Sequence, residues 1–341
     1  MSDAHDSVGE SAAPVRQVGG SLVRMILLIL RTREAGIGLA IVIMMIVLAA
    51  LAPAFLSADN LSNNARNMSF VGIAVLGEAL VLIIGGIDLS VGSIWGVTAV
   101  ASAALMSAGL PTVIAAAGGL TVAGLFGLFN GLCVTWLRMP PFVPTLATMS
   151  IARAAALMIT RGRSIDDFRP IGDTFFNLGG GSIAGVPTPF ILFVALSAGL
   201  WVLLDRTIFG RRLYAIGGND QAARLSGINV DRMKVVVYVL SALFAGLAGL
   251  VEVSYLSSAI ANQGAGKELN AIAAAVIGGT NLMGGEGTIL GVFFGAIILE
   301  ILRNGLVLIG TDAYSQGVFV GFVIIIAVFI DQLRKGVWKR K

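Results

Sequence analysis

Histidine and cysteine are almost missing from this 341-residue chain: His5 and Cys133 are the only ones. One cysteine excludes an intramolecular disulfide and a cysteine-rich metal site. One histidine, in a polar tail, excludes a histidine-based catalytic dyad or zinc cluster. Charge is scarce as well, with Asp, Glu, Lys and Arg at 12% of residues against roughly 25% in a soluble domain. What fills the chain is 57% hydrophobic side chains and 44 glycines, at a mean hydropathy of +0.91. Intrinsic disorder needs the opposite balance. Glycine in a water-exposed helix costs about 1 kcal/mol relative to alanine, whereas in lipid small residues let helix backbones approach closely. The composition therefore specifies an all-α, polytopic membrane protein. The net charge of +4 reads as basic cytoplasmic loops and not as a nucleic-acid surface.

A span needs about 20 apolar residues. Ten segments meet or approach that length: 36–56, 68–84, 92–108, 112–137, 142–160, 187–204, 235–256, 269–282, 289–309 and 318–330. The eighth is short for a full crossing, and some segments are glycine-interrupted. Residues 1–35 form a polar tail with a short interfacial run at 25–30, too short for a secretory signal, and 334–341 form a basic tail. Sixteen of the 23 Lys and Arg residues fall on one side of a ten-crossing arrangement, which puts both termini in the cytoplasm by the positive-inside rule. Residues 36–333 make up the transmembrane domain, with 205–234 as its largest inner connection.

Two stretches share the frame G-G-x-x-L-x-x-G: GGIDLSVG at 85–92 and GGTNLMGG at 278–285. Glycine-interrupted hydrophobic segments in corresponding halves point to a transport pathway, and the shared frame reads either as an internal duplication or as a chance Gly-Gly match in a chain with 44 glycines. The inner connection reads DRTIFGRRLYAIGGNDQAARLSGINVDRMK. Gly217 and Gly218 are read as a turn, Asn219 or Asp220 as the cap of a short helix carrying Arg224, and Gly227 as its stop. A phosphate-cradling loop is absent: the nearest text, GAGKE at 264–268, has Glu268 where a hydroxyl residue is required. The chain is thus not expected to hydrolyse ATP, and it carries no cofactor of its own.

Charges inside spans are functional candidates because their desolvation costs about 2.5–3.5 kcal/mol even on insertion scales. Glu78, Asp88, Arg153, Glu252, Glu300 and Arg303 are such positions. Glu300 and Arg303 lie i,i+3 on one helix and can neutralise each other. Asp88 suits the pinning of its turn. Amide, hydroxyl and aromatic groups suited to a neutral sugar occur at Trp95, Asn130, Thr145, Thr148, Asn281 and Asn304. Glu78, Asp88, Trp95, Asn130, Thr145, Asn281 and Asn304 are the pathway candidates. Each has a plain structural alternative, as polar glue between helices. Gly127 and Gly131, Gly291 and Gly295, and Gly317 and Gly321 suit close helix crossings, within one chain or between two.

GGIDLSVGS (85–93), FVPTLATM (142–149), GRRLYAIGGNDQAARLSGINV (210–230) and GKELNAIAAAVIGGTNLMGGEGTILG (266–291) resemble the ribose-type sugar permeases of ABC importers, in register from about residue 37 to 333. The resemblance implies a bacterial inner-membrane subunit working as a pair, most simply a homodimer. It implies two copies of a cytoplasmic ATPase as partners, with ATP and magnesium bound there, and a periplasmic sugar-binding protein that delivers a monosaccharide, polyol or inositol. It assigns Gly217, Gly218, Asn219, Asp220, Ala223, Arg224 and Gly227 to coupling with the ATPase. Replacing Gly218 or Arg224 is then expected to uncouple hydrolysis from transport. An ion-driven secondary transporter is the competing class, and a branched-chain amino-acid permease is the nearest alternative within the importers.

Overall fold

The computed structural model describes residues 33–166, 168, 173–312, and 315, 317–319, 321, 322, 325 and 329. The tails and most of the last expected span lie outside these residues. The chain runs through α1 (Arg33–Leu51), a 3-10 turn (Pro53–Leu56), α2 (Ala58–Ile83), α3 (Val91–Ser107), α4 (Thr112–Thr135) and α5 (Phe142–Thr160). A connection follows with α6 (Asp173–Gly179) and a two-stranded hairpin, β1 (Ser182–Ile183) and β2 (Val186–Pro187). Then come α7 (Thr188–Arg206), α8 (Ile208–Gly218), α9 (Asp220–Leu225), α10 (Val230–Leu256), α11 (Lys267–Ile277) and α12 (Ile289–Leu308).

Among the described residues, seven helices are long and apolar enough to cross a membrane: α1, α2, α4, α5, α7, α10 and α12. The apolar α3 is shorter, at 17 residues. The expected eighth segment, 269–282, short for a full crossing in the sequence, is also short as a helix. α11 has 11 residues, or about 16 Å at 1.5 Å per residue, roughly half of the ~30 Å hydrocarbon core.

Helix ends follow local chemistry. Proline at 53 cannot continue α1 and starts the 3-10 turn instead. Ser57 then caps α2, accepting a hydrogen bond from the Asn60 N–H at 3.3 Å. The first turns of α2 are polar (Asp59, Asn60, Asn63, Asn64, Arg66, Asn67), so hydropathy alone places its start ten residues too late. α10 begins at Val230 because Asn229 caps it, accepting from the Arg232 N–H at 3.0 Å.

α10 is the central post, packed against α2, α3 and α4. α12 packs on α11, α2 and α1, while α5 covers α3 and α7 lies on α2. Small residues set the closest crossing. A Cβ at Gly127 would strike Tyr238, Val239 and Ala242, and one at Gly131 would strike Val235, so this pair serves the contact of α4 with α10 inside one chain. Gly291 and Gly295 do the same for α12 against Ala274 and Gly278. Gly317 and Gly321 meet nothing within 4 Å. Apolar side chains stay exposed on the outward faces of α1 (Val42, Ile43, Ile46) and α4 (Leu125, Phe129), as lipid-facing surfaces require.

Candidate functional site

The two glycine turns follow the C-terminal ends of α2 and α11, and they are built alike. After α2, the Gly85 N–H reaches Leu82 O and the Gly86 N–H reaches Val81 O, both at 2.9 Å. After α11, the Gly279 N–H reaches Val276 O and the Thr280 N–H reaches Ala275 O, again at 2.9 Å. Each is a Schellman cap, and each places a glycine, Gly85 or Gly279, at positive φ. The equivalence in space is therefore shifted by one residue from the shared text, Gly85 matching Gly279.

These turns touch. The Gly285 N–H donates to Ile83 O at 2.9 Å, and a Cβ on Gly85 would lie 3.4 Å from Met283 O. α8 ends in the same place. A Cβ on Gly217 would overlap Ile83 O and the Gly285 nitrogen. Tyr214, one turn earlier, donates its hydroxyl to Gly287 O at 2.8 Å. Burial, with the Asp205 charge nearby, pushes that hydroxyl up to about 12, so it remains a donor at physiological pH. Three backbone segments, one from each turn and one from the inner connection, thus meet at a junction that only glycine allows.

The inner connection departs from its expected geometry in one respect. Gly217 and Gly218 are not a turn but the last residues of helix α8, and the chain reverses at Asn219 (φ −162, ψ 103). Asn219 is the cap, accepting from the Ala222 N–H at 2.9 Å. α9 ends as expected at Gly227, whose positive φ closes a further Schellman cap from Ile228 N–H to Ala223 O at 3.1 Å. Ala223 is the buried residue of α9. Arg224 bridges Asp220 at 2.9 Å and Asp231 at 2.5 Å, and Lys234 also pairs with Asp220.

The Arg224 hydrogen bonds hold the Asp231 carboxyl below the usual range. At Asp220 partial burial pulls upward, but the Lys234 and Arg224 contacts outweigh it and the carboxyl also sits low. Leu225, beside this cluster, is 90% exposed. Arg224, Asp231 and Lys234 also line a cavity of about 810 Å3 with Trp136, Arg138 and Met139 of the connection between α4 and α5.

The pathway candidates separate into groups. Glu78, Asp88, Asn130 and Thr145 are fully buried, and the first three belong to one network. Thr148 donates to Asn130 Oδ1 at 2.6 Å, and Asn130 donates to Ser90 Oγ at 2.9 Å. Ser90 donates to Asp88 Oδ1 at 2.5 Å through its hydroxyl and at 2.9 Å through its N–H. Ser241 of α10 donates to Asp88 Oδ2 at 3.2 Å, and the Asp88 N–H donates to Glu78 Oε1 at 3.3 Å. Thr145 lies at the rim, its hydroxyl 3.0 Å from Pro141 O and 3.3 Å from Ile87 O. This network ties the extended chain after the first turn to α2, α4, α5 and α10. The sequence pointed to its acids through their cost in a membrane and to its amide as a group suited to a neutral sugar. It missed Ser90 and Ser241, because a serine in a span is unremarkable until its partner is known.

Trp95 is also fully buried, with its indole N–H on Glu252 Oε2 at 2.8 Å and the Lys267 ammonium 5.4 Å from its ring. Asn281 pins the second turn, accepting from the Met283 N–H at 3.1 Å. Asn304 pairs with Asn60 through two hydrogen bonds, Asn304 Nδ2 donating to Asn60 Oδ1 at 2.9 Å and Asn60 Nδ2 donating to Asn304 Oδ1 at 3.1 Å. Arg153 lies 4.0 Å from Glu268. Glu300 and Arg303 interact electrostatically, and both line a second cavity at the opposite end of the bundle from the glycine junction.

Comparison with known proteins accounts for this architecture. The chain is 41% identical over 302 residues to the ribose import permease protein of Bacillus subtilis (strain 168), covering 88% of this chain and 93% of that one. It is 38% identical over 298 residues to the ribose import permease protein of Escherichia coli (strain K12), covering 87% and 93%. A D-allose transport system permease protein of the same strain is 38% identical over 280 residues, covering 82% and 85%. No solved structure matches the chain. Residues 60–328 match the family model described as the permease component of the branched-chain amino acid transport system. With apolar crossing helices, paired glycine turns and relatives that are import permeases over nearly their whole length, the chain belongs to this family of ABC-importer permeases.

Proposed function

We propose that this chain is the membrane-spanning half of an ATP-driven importer that moves a monosaccharide across the bacterial inner membrane. The observation that carries the reading is the junction at Gly217, where the inner connection touches both glycine turns. α9 would dock on a cytoplasmic ATPase, presenting exposed Leu225 to an apolar cleft while the cap at Asn219 and the pairs on Arg224 keep the helix stiff. ATP and magnesium would bind in that partner. A push on α9 passes along α8 to Gly217 and shifts Ile83 and Gly285 together, because their backbones are in contact. Both discontinuous segments would then move at once between inward and outward arrangements, in a pair of permease copies fed by a periplasmic binding protein.

The family description names branched-chain amino acids, whereas the relatives named above are ribose and D-allose permeases. Similarity of 38–41% over most of both chains favours the sugar side. Both termini would be cytoplasmic, with Arg66 and Lys267 outside.

The competing class is an ion-driven carrier, and vesicle transport separates the two. Inverted-topology controls aside, proteoliposomes holding the permease, its ATPase and its binding protein should take up radiolabelled D-ribose, D-allose or D-galactose only with ATP supplied on the ATPase side. Uptake that survives ATP depletion and collapses with the proton or sodium gradient would overturn the importer reading.

A further inference from the structure

A cavity lies at the end of the bundle opposite the glycine junction. It has a volume of about 320 Å3, at the lower end of the ~300–1,000 Å3 range of small-molecule sites. Asn67 of α2, Glu252 and Tyr255 of α10, Lys267 of α11, and Glu300 and Asn304 of α12 contribute to its wall. Arg303 and Phe70 complete the polar and apolar sides.

Three features of that wall restrict its ligand. Two carboxylates face two cations, so a ligand carrying net charge of either sign gains little over a neutral one. Glu300, although buried, makes no hydrogen bond to a described residue and meets only the charges of Arg303 and Lys267. A buried carboxylate keeps unused acceptor positions only where water or a ligand hydroxyl can fill them. Finally, the rings of Phe70 and Tyr255 lie 5.9 Å apart and give the cavity an aromatic flank, the apolar surface that the C–H face of a sugar ring can cover.

We infer that this cavity is an outer holding site for a neutral polyhydroxylated ring. Glu300 would accept from one ligand hydroxyl, and Asn67 and Lys267 would bond others against the Tyr255 flank. The site is separate from the fully buried network of Glu78 and Asp88. The inference rests on the sugar-importer reading and adds to it a place where the solute is held after delivery.

The test uses the full transporter in proteoliposomes, with radiolabelled D-ribose, D-allose and D-galactose as probes. In the permease, Asn67→Ala alters an exposed side chain and Glu300→Gln keeps shape and volume, so neither should prevent assembly. Each is expected to reduce sugar transported per ATP hydrolysed by about tenfold, as loss of one buried ligand hydrogen bond does. Each should also change the order of preference among the three sugars while ATPase stimulation by the loaded binding protein stays intact. A purely structural role would lower all three sugars and the ATPase alike, and that result would overturn the site. Uptake of all three sugars within twofold of the parent in both variants would overturn it as well. A parent transporter that moves none of the three sugars would instead contradict the monosaccharide reading beneath it.

Discussion

Asp88 accepts from the Ser90 N–H, the Ser90 hydroxyl and the Ser241 hydroxyl, in a region closed to solvent. Removing the acceptor strands buried donors, at about 1–3 kcal/mol for each group left unpaired. Asp88→Ala should therefore lower the thermal midpoint of the detergent-solubilised protein clearly, whereas Thr121→Ala, on the exposed face of α4, should leave it unchanged. Equal midpoints for the two would mean that the network contributes nothing to the fold. The acids of this network were legible in the sequence because charge in a span is costly. Their partners were not. Ser90 becomes significant when Asn130 of α4 reaches it, and Ser241 when α10 packs against the Asp88 turn, which no local pattern specifies. Conversely Trp95 and Asn304 look alike as polar candidates in a sequence, yet one is wholly buried and the other lines a cavity.

At the scale of elements, α9 is a six-residue helix and gains little from its own backbone bonds, since helices this short are marginal in water. Its persistence depends on the Asn219 cap, worth about 1 kcal/mol, on the Gly227 stop, and on Arg224 and Lys234 pairing with Asp220 and Asp231. Both carboxyls titrate lower in the folded loop than their ordinary value, Asp231 through Arg224 and Asp220 through Lys234 and Arg224 despite partial burial. Their contribution is complete above the ordinary aspartate pKa of about 3.9 and is lost as pH falls through the lower folded values. Amide exchange over 219–231, corrected for intrinsic rates, should thus be flat from about pH 5 to 8 and loosen below about pH 4. Arg224→Ala should loosen the same amides already at neutral pH. Protection insensitive to both changes would remove the ion pairs from the account. Helix limits were legible wherever apolar text meets a cap or glycine: α5 spans 142–160 as expected, and α4 and α12 end within two residues. They were misjudged where the first turns of a helix are polar, as in α2, and at 217–218, where a glycine pair usually associated with a turn ends a helix and only Gly217 is closely packed.

For the whole molecule, the inner connection, the two glycine turns and the outer cavity lie along the same helices. α2, α10 and α12 run from the junction region to the cavity, so a displacement at Gly217 and a change of shape around Glu300 and Asn304 are linked through continuous, packed elements. The repeated glycine frame was visible in the sequence, and so was the long polar connection at 205–234. That the three converge was not, because contact between Gly217, Ile83 and Gly285 is set by how α8 docks across two turns distant in the chain. The structure also moves the most sensitive position by one residue: a Cβ at Gly218 meets nothing within 4 Å, while one at Gly217 collides with backbone on both turns. The most direct measurement is therefore the ratio of sugar transported to ATP hydrolysed in proteoliposomes carrying Gly217→Ala or Gly218→Ala in the full transporter. The account predicts that Gly217→Ala retains binding-protein-stimulated hydrolysis but loses at least about tenfold in transport per ATP, a 1.4 kcal/mol effect, while Gly218→Ala behaves as the parent. Normal transport per ATP in Gly217→Ala would contradict the claim that force reaches both turns through this junction.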